Sequence, residues 1–262
     1  MTRVLAVLNQ KGGVGKTTTA VTLAHGASLR GIRTLLVDLD SQGNVADSLG
    51  LPGAGDLYRW LWDQLPTSEV TIEARPGLDV IRSNKTTEAL KLALTGRSFR
   101  EHVISNALAD CADTYGLVVM DCAPSIDILQ TAAMVASTAI LVPARMDQLA
   151  VKGIREVTLS VAQLSRSGVS TYIAGIIPTM MERVTAESQA QLVQVTKVFG
   201  SLVWPAVPQD TRCRVATRAG QTLWEYAPDS PAVIGFQNGA AHNTRIGGYA
   251  RVLDRMLEVC RA

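Results

Sequence analysis

Apolar runs and helix-like spacing alternate along this chain. Six short apolar runs, each bounded by polar or turn-forming residues, are typical of buried strands; they occupy residues 4–8, 34–38, 78–81, 117–121, 139–142 and 172–177. Apolar residues three or four positions apart indicate helices, and they occupy 17–30, 126–136, 151–167, 186–199 and 246–260. This alternation predicts a doubly wound α/β fold, with a mostly parallel sheet flanked by helices on both faces.

Two stretches depart from this rhythm. Residues 52–76 and 227–248 are rich in turn formers, and the sequence contains no internal repeat and no low-complexity linker. Both stretches are interpreted as excursions from one domain. We therefore predict a single domain over residues 1–262, with a C-terminal excursion at about 227–248.

The composition excludes several classes of protein. With 47% hydrophobic and 18% charged residues, it is that of a globular chain. The longest nearly apolar run, 132–143, is shorter than the roughly 18 residues that a membrane span needs, and the N-terminus has no secretory pattern. The four cysteines lack C-x-x-C spacing, which argues against a zinc site or a disulfide framework. We expect a cytoplasmic protein with no membrane partner.

The stretch NQKGGVGKTTTA, residues 9–20, comes close to a phosphate-binding loop between a strand and a helix. Glycines allow backbone N–H groups to converge on phosphate oxygens, and the helix N-terminus adds partial positive charge. Lys16 is expected to reach the β- and γ-phosphates, and the Thr17 hydroxyl to bind Mg²⁺. The predicted nucleotide-binding residues of this loop are Lys11, Gly12, Gly13, Val14, Gly15, Lys16, Thr17 and Thr18.

Three carboxylates complete a nucleotide site by residue type and location. Asp121 ends the apolar run LVVMD, and Asp38 and Asp40 end the run TLLVDLD. In open α/β sheets, ligands bind at the carboxyl ends of the strands. A carboxylate at a strand end is often only a turn former, but three such ends beside a phosphate loop favour a site that also holds Mg²⁺.

The motifs KGGVGKTT, LLVDLDSQGN and VVMDCAPS, in this order, resemble those of the deviant Walker ATPases of the ParA/MinD family, most closely its ParA branch. The likeness continues in GLDVIRSN, VPARMDQLAVKGI and FGSLVWPAVPQDTR, so it covers most of the chain. The resemblance implies the P-loop NTPase fold of the deviant Walker type, with ATP and Mg²⁺ as cofactors and slow intrinsic hydrolysis.

The resemblance also assigns roles to individual residues. The lysine at the position of Lys11 reaches across an ATP-sandwiched homodimer to the phosphates of the other subunit. Asp40 matches the residue that orients the attacking water, so Lys11, Lys16 and Asp40 are the predicted catalytic residues. Thr17, Asp38 and Asp121 are the predicted residues of the magnesium site, and contacts to adenine are expected around Met180 and Pro208.

Within the family, the first interpretation is a partition ATPase. Its ATP dimer would bind double-stranded DNA non-specifically on the nucleoid, and a ParB-like centromere-binding or cargo adaptor protein would stimulate hydrolysis and release. Net charge is only +2, but residues 151–262 carry an excess of Lys and Arg. The run TRCRVATR, interpreted as a loop, is either a solvated surface or a contact to DNA phosphates. The predicted DNA-binding residues are Arg212, Arg214, Arg218, Arg245 and Arg251.

Other interpretations stay open at this stage. Related ATPases position cargo other than DNA. A MinD-like membrane ATPase needs a C-terminal amphipathic helix with exposed apolar residues, whereas the tail here is expected to pack in the core. An iron–sulfur reductase would use Cys122, which a small buried thiol explains equally well.

Some positions depart from the family pattern. Ser41 and Ala123 replace prolines that are usual in ParA relatives, and Gln209 stands where arginine is common. The segment YAPDSPAVIGF resembles the usual start of the last helix, yet a second helical segment follows. The extra residues are either an insertion or an additional C-terminal helix, and Arg245 and Arg251 extend the basic patch if they lie beside it.

Overall fold

The computed structural model describes residues 2–182, 186–236 and 246–261. Within these ranges the strands are β1 (Arg3–Val7), β2 (Thr34–Asp38), β3 (Ile72–Arg75), β4 (Leu78–Ile81), β5 (Leu117–Asp121), β6 (Ala139–Arg145) and β7 (Tyr172–Thr179). They form one sheet in the order β3-β4-β2-β5-β1-β6-β7. All neighbouring pairs are parallel except β3 and β4 at one edge. The fold is therefore the doubly wound α/β fold that the sequence predicts.

Helices cover both faces of the sheet. One face carries α3 (Asp56–Leu61), α4 (Thr67–Val70), α5 (Thr86–Thr95), α6 (Val103–Leu108), α7 (Ile128–Ala136), α8 (Ala150–Arg166) and α9 (Ala186–Phe199). The other carries α1 (Lys16–Leu29), α2 (Asn44–Leu49), α10 (Arg212–Arg218), α11 (Leu223–Tyr226), α12 (Pro231–Ile234) and α13 (Gly248–Arg261). Three short 3₁₀ turns lie at Arg100–His102, Ala109–Cys111 and Gly200–Leu202.

The apolar strands supply two hydrophobic cores, one on each face of the sheet. In β1, Leu5 and Val7 belong to the core under α1, and Ala6 belongs to the core under α7 and α8. Side chains of a strand point alternately to opposite faces, so a strand covered on both sides must be apolar throughout. This requirement explains why continuous apolar runs located the strands so well.

The register brings the carboxyl ends of three strands together. Asp121, the last residue of β5, is the register partner of Asp38 in β2 and of Val7 in β1. Three predicted strands, 34–38, 78–81 and 117–121, have the bounds observed for β2, β4 and β5. The sheet therefore places two of the predicted carboxylates side by side, at the edge where β1 leads into the glycine loop.

The stretch 52–76 is more regular than its turn formers suggest. It contains α3, α4 and the antiparallel strand β3. These elements are only four to six residues long, and a pattern that short is difficult to separate from a loop. They acquire regular structure by packing: Leu57, Trp60 and Leu61 of α3 are buried in the core.

The basic run 211–218 is also a helix and not the loop that we expected. The segment 212–218 contains neither glycine nor proline. The Asp210 carboxylate accepts the backbone N–H of Arg212 at 3.0 Å, which supports the start of α10. The helix ends before Gly220, whose φ of 64° is in the left-handed region.

The last helix packs in the core, as predicted. Tyr249, Val252, Leu253, Met256 and Leu257 of α13 are buried, and α13 contacts α1 and α12. A MinD-like membrane-binding helix would need these apolar side chains to be exposed, whereas in α13 they are buried. Among the described residues, no helix has the length and the apolar character to cross a bilayer.

The two sides of the excursion meet. A Cβ atom added to Gly248 would lie 2.5 Å from the carbonyl oxygen of Val233, and one added to Gly235 would lie 2.5 Å from that of Ile246. The backbone therefore leaves α12 and returns to the same place before α13. This contact favours an insertion between α12 and α13 over a helix appended beyond the fold. Residues 237–245 lie outside the described ranges.

Candidate nucleotide-binding site

The glycine loop joins the buried end of β1 to the first turn of α1. Gly13 and Gly15 have φ angles of 69° and 85°, in the left-handed region that glycine adopts without steric cost. The Gly15 carbonyl accepts the N–H of Thr19 at 2.9 Å, which starts the helix. The Thr179 hydroxyl donates to the Val14 carbonyl at 2.8 Å and ties the loop to β7. A short loop fixed at both ends presents its free N–H groups at a helix N-terminus.

Lys16 points back over this loop. Its Nζ donates to the carbonyl oxygen of Lys11 at 3.1 Å. Burial lowers the pKa of Lys16, and the nearby carboxylates of Asp121 and Asp40 oppose that shift. An ammonium group held in this position has donors left for an anion, as expected for the lysine of a phosphate loop.

Asp121 is the least compensated polar side chain of the site. It is buried, and neither carboxylate oxygen has a hydrogen-bond partner among the described residues. Burial raises the pKa of Asp121, although the Thr17 hydroxyl and the Lys16 ammonium act to lower it. A buried carboxylate without a partner costs free energy, and proteins usually compensate it with a cation.

Asp38 and Asp40 organise the loop after β2. The carboxylate of Asp38 accepts the N–H of Asp40 at 3.0 Å and the N–H of Val45 at 3.2 Å. Burial raises the pKa of Asp38 well above its usual range, and the neighbouring Asp121 raises it further. Asp40 is only partly buried and accepts the N–H of Gln42 at 3.0 Å. Asp40 is thus the carboxylate of this pair that solvent reaches.

These residues fit a magnesium ion. Asp121 brings two unpartnered oxygens, Thr17 brings a hydroxyl close enough to affect the pKa of Asp121, and Asp38 adds a second buried carboxylate. Carboxylate and hydroxyl oxygens are the ligands that Mg²⁺ prefers. When bound beside a nucleotide, the ion would neutralise part of the phosphate charge. The predicted assignment of Thr17, Asp38 and Asp121 stays a prediction that this chemistry supports.

Lys11 is held by residues of its own chain. Its backbone N–H donates to the Asn9 side-chain oxygen at 3.0 Å, and Asn9 in turn donates to the Pro143 carbonyl at 2.8 Å. The Lys11 ammonium forms an ion pair with Asp147, which follows β6. Both side chains are about one-third exposed, at 29% and 31%. Sequence reasoning missed Asp147, although it lies within the motif VPARMDQLAVKGI.

A cavity of about 460 Å³ opens beside the loop. Met180 and Pro208, the predicted adenine contacts, both line it, together with Gly13, Gly15 and Thr18. Several other lining residues were not assigned to the nucleotide site from the sequence: Arg145, Thr179, Asp210, Thr211, Cys213, Thr217 and Tyr249. Gln209, noted above only as a departure from the family pattern, lines the cavity too.

Tyr249 shows why these residues were difficult to find. It is buried at the start of α13, and its hydroxyl lies 2.9 Å from the Thr19 hydroxyl of α1. A buried aromatic residue on an apolar helix stripe reads as core. Only the fold brings this stripe to the wall of the cavity beside the phosphate loop.

The predicted DNA-binding arginines do not share one environment. Arg214 is exposed and also lines the nucleotide-site cavity, while Arg212 pairs with Asp210 at 3.1 Å. Arg218 is exposed at the end of α10, and Arg251 is exposed on α13. Arg245 lies outside the described residues. The DNA assignment of these residues therefore stays a prediction, and the structure places Arg214 beside the phosphate loop, in the lining of the cavity.

Cys122 is buried directly after Asp121, and burial raises the pKa of its thiol well above the usual range. A free cysteine that is buried in this way packs as a small apolar residue. The small buried residue is therefore the better explanation of Cys122.

Comparison with known proteins identifies the family to which this chain belongs. Residues 2–173 match the protein family described as AAA domain. The chain is 32% identical to the chromosome partitioning protein ParA of Caulobacter vibrioides over 232 residues, which cover 86% of this chain and 87% of the relative. This chain belongs to the ParA family of partitioning ATPases. The resemblance inferred from its motifs is confirmed.

Solved structures agree with this ParA-family fold. Cobyrinic acid a,c-diamide synthase of Mycobacterium smegmatis, with a bound ATP analogue and magnesium, has a TM-score of 0.74 at 28% identity, covering 84% of this chain and 92% of that chain. The ATP complex of a Cyanothece McdA variant has a TM-score of 0.80 at 21% identity, covering 92% of this chain and 99% of that chain. At that lower identity the likeness shows the fold alone.

Proposed function

We propose that this ParA-family chain is a Mg²⁺-dependent ATPase that uses ATP to control its binding to DNA. The observation that carries the proposal is the phosphate loop, with Lys16 over it and the unpartnered Asp121 carboxylate beside it. The magnesium and ATP analogue bound to the Mycobacterium smegmatis structure support the same two cofactors here. Lys16 would hold the phosphates, and Asp40 would orient the attacking water.

ATP would also drive dimerisation. The Lys11 side chain is about one-third exposed, and its ammonium is held only by the ion pair with Asp147, so a facing subunit could reach it. A cation that completes the site only in the facing chain makes dimer formation depend on the nucleotide. Slow intrinsic turnover follows, because the dimer must persist until a partner completes or rearranges the site.

The ATP dimer would then bind double-stranded DNA without sequence preference. Arg214 and Arg218 are exposed on α10, and Arg251 is exposed on α13. A few arginines per chain give weak, salt-sensitive contacts with phosphates, and a dimer doubles them. Release would follow hydrolysis stimulated by a ParB-like centromere-binding or cargo adaptor protein. The protein would accordingly work in the cytoplasm on the nucleoid, and its cargo would be a plasmid, a chromosome or another body.

The test is binding of the purified protein to random-sequence duplex DNA, with ATP, ADP or no nucleotide, at low and moderate salt. We expect binding only with ATP, and a fall in affinity with a log–log salt slope of about 0.9 for each phosphate contact. Lys11→Ala should abolish this binding because the monomer presents too few cations. Arg218→Gln should weaken binding equally for all DNA sequences.

Two results would contradict the proposal. Equal DNA binding with and without ATP would show that nucleotide does not control this surface. ATP hydrolysis with no DNA binding in any state would remove the DNA partner, and binding to anionic liposomes would then be measured.

A further inference from the structure

Helix α5 lies beside two loops, each of which adjoins a predicted catalytic or magnesium-site carboxylate. The loop after β2, residues 39–43, carries Asp40, and the loop after β5, residues 122–127, follows Asp121. Glu88 of α5 faces the loop 39–43, and Lys91, one turn later, contacts the loop 122–127. Lys91 forms ion pairs with both Glu88 and Asp127 and so connects the two contacts.

Lys91 forms the contact with the loop 122–127. Its Nζ lies 2.9 Å from Asp127 Oδ2, and the lysine side chain is only 15% exposed. The other oxygen of Asp127 accepts the backbone N–H of Gln130 at 3.0 Å and caps α7. The Ser125 hydroxyl also donates to Asp127, at 2.8 Å. Lys91 therefore fixes the residue in which the loop ends and the next helix begins.

Glu88, one turn before Lys91 on α5, faces the loop 39–43 with a side chain that is 60% exposed. Lys91 Nζ lies 3.1 Å from Glu88 Oε1. Hydrogen bonding with the Ser41 side chain, and then with Lys91, lowers the pKa of Glu88. Ser41 directly follows Asp40, at a position where ParA relatives usually have proline. Proline has no hydroxyl, so this contact depends on the departure of this chain from the pattern.

Backbone packing brings the same loop close to α5. A Cβ atom added to Gly43 would lie 2.8 Å from the carbonyl oxygen of Ser83, and the Ser83 hydroxyl lies 2.6 Å from that of Thr87 in α5. The loop thus rests on the residues that lead into the helix. A shift of α5 would be felt on both sides of the nucleotide site.

We propose that Lys91 is a positioning residue for ATP hydrolysis, which holds the loops 39–43 and 122–127 in fixed relation through Glu88 and Asp127. Lys91 itself touches no predicted catalytic residue. Its effect on Asp40 is carried by Ser41 and on Asp121 by the chain up to Asp127. The inference rests on the proposed ATPase function. It adds a residue, and a connection between the two loops, that the family motifs do not include.

The physical consequence is in the geometry of the reacting groups. A small displacement of groups that orient the nucleophile lowers the rate strongly, whereas binding of the nucleotide by the glycine loop is unaffected. Losing Lys91 would leave the carboxylates of Asp127 and Glu88 close together without their shared cation. Their repulsion would displace the loop 122–127 from α5, while the loop 39–43 rests on the residues that lead into that helix.

The first experiment is steady-state ATP hydrolysis with Mg²⁺ by the wild-type protein and by Lys91→Met, Lys91→Arg and Lys85→Met. Lys91→Met keeps the aliphatic stem and should lower kcat about tenfold or more while KM changes less than about threefold. Lys91→Arg should recover most of the loss because it restores the cation. Lys85→Met is the matched control: it removes an exposed cation just before α5 and should leave kcat unchanged.

Hydrogen exchange of the backbone amides provides a readout that does not need turnover. With an ATP analogue and Mg²⁺ bound, Lys91→Met should raise exchange in both 39–43 and 122–130, and Lys85→Met in neither. If the wild-type protein hydrolyses no ATP, the proposed function fails, and this measurement still decides whether Lys91 couples the loops. An increase confined to one loop would overturn the coupling.

A second pair of variants covers the case in which Lys91→Met does not fold. Asp127→Asn retains an oxygen to cap α7 and loses the ion pair, so it should show the same fall in kcat. The double variant Lys91→Arg/Asp127→Asn should have a kcat as low as that of Asp127→Asn alone, so that arginine no longer restores kcat. That result would show that Lys91 acts through Asp127. An unchanged kcat in Lys91→Met or Asp127→Asn, or a rise in KM that accounts for the whole loss, overturns the proposal.

Discussion

At the scale of single residues, Lys11 has two possible partners. Within its own chain the ammonium pairs with Asp147. In an ATP-sandwich dimer the same ammonium would contact phosphates of the facing subunit. Both side chains are about one-third exposed, and an ion pair of that exposure contributes only about 0.2–1 kcal/mol. Asp147 therefore competes weakly with the nucleotide for Lys11.

Asp147→Asn should strengthen ATP-dependent dimerisation, because it removes this competing charge. The side-chain oxygen of asparagine can still accept the Leu149 N–H that Asp147 accepts at 3.0 Å. A symmetric dimer contains two such lysines, so we expect its dissociation constant to fall by at most about thirtyfold, the equivalent of about 2 kcal/mol. Sedimentation velocity with a non-hydrolysable ATP analogue measures it, with the exposed Asp113→Asn as control. A weaker dimer would mean that Asp147 supports the interface.

Sequence reasoning found the residues of the loop and the strand-end carboxylates because each belongs to a local pattern: glycines before a helix, or an acid after an apolar run. Pairing of β2 with β5 brings Asp38 and Asp121 into register, as expected for residues at the carboxyl ends of parallel strands. Asp147 pairs with Lys11 of the loop, and Tyr249 lines the cavity beside the loop, but both lie far along the chain. Neither an acid within a longer motif nor an aromatic residue on an apolar helix stripe indicates such a contact by itself. Their positions depend on the order of the strands.

At the scale of elements, α13 connects the C-terminal excursion to the nucleotide site. Its first residue, Gly248, has a φ of 62° and donates its N–H to the Ala206 carbonyl at 3.1 Å. The next residue, Tyr249, lines the cavity and contacts α1. The conformation of one glycine thus sets where the tyrosine of this helix meets the site.

Gly248→Ala should destabilise the protein by more than about 2 kcal/mol. The new methyl group would lie 2.5 Å from the Val233 carbonyl oxygen, and alanine in the left-handed region adds a further cost. Gly96→Ala is the control, because nothing lies within 4 Å of its added Cβ and its φ is −87°. Urea unfolding of both variants measures the difference. Equal stability would show that the α12–α13 junction tolerates a side chain.

The elements that the sequence revealed are those buried on both faces or long enough to repeat. β2 and β5 are buried at every position and apolar except for Thr34 and their final aspartates, and α9 extends over about four turns of helix-like spacing. The short α3 and α4 and the basic α10 were missed because four to seven residues contain too little periodicity. Tertiary packing, and not local propensity, makes these segments regular.

At the scale of the whole molecule, all three carboxylates, both lysines and the cavity lie at the carboxyl edge of one sheet. A single chain leaves this edge open, with Lys11 exposed enough to reach outwards. Net charge is only +2, so one chain has little long-range attraction for DNA. Dimerisation around ATP is the step that would close the site and double the basic surface, and the account depends on it.

The most direct test is the mass in solution of Asp40→Ala with Mg²⁺ and ATP, measured by sedimentation velocity. Because this variant lacks the carboxylate that is proposed to position the water, it should bind ATP and not hydrolyse it, so the complex should persist. If ATP closes the dimer, Asp40→Ala should have the mass of two chains with ATP and of one chain with ADP. Lys11→Ala/Asp40→Ala should have the mass of one chain with ATP, and so should Lys16→Ala, which should lose nucleotide binding. A single chain with ATP bound, or a dimer that survives without Lys11, would contradict the account.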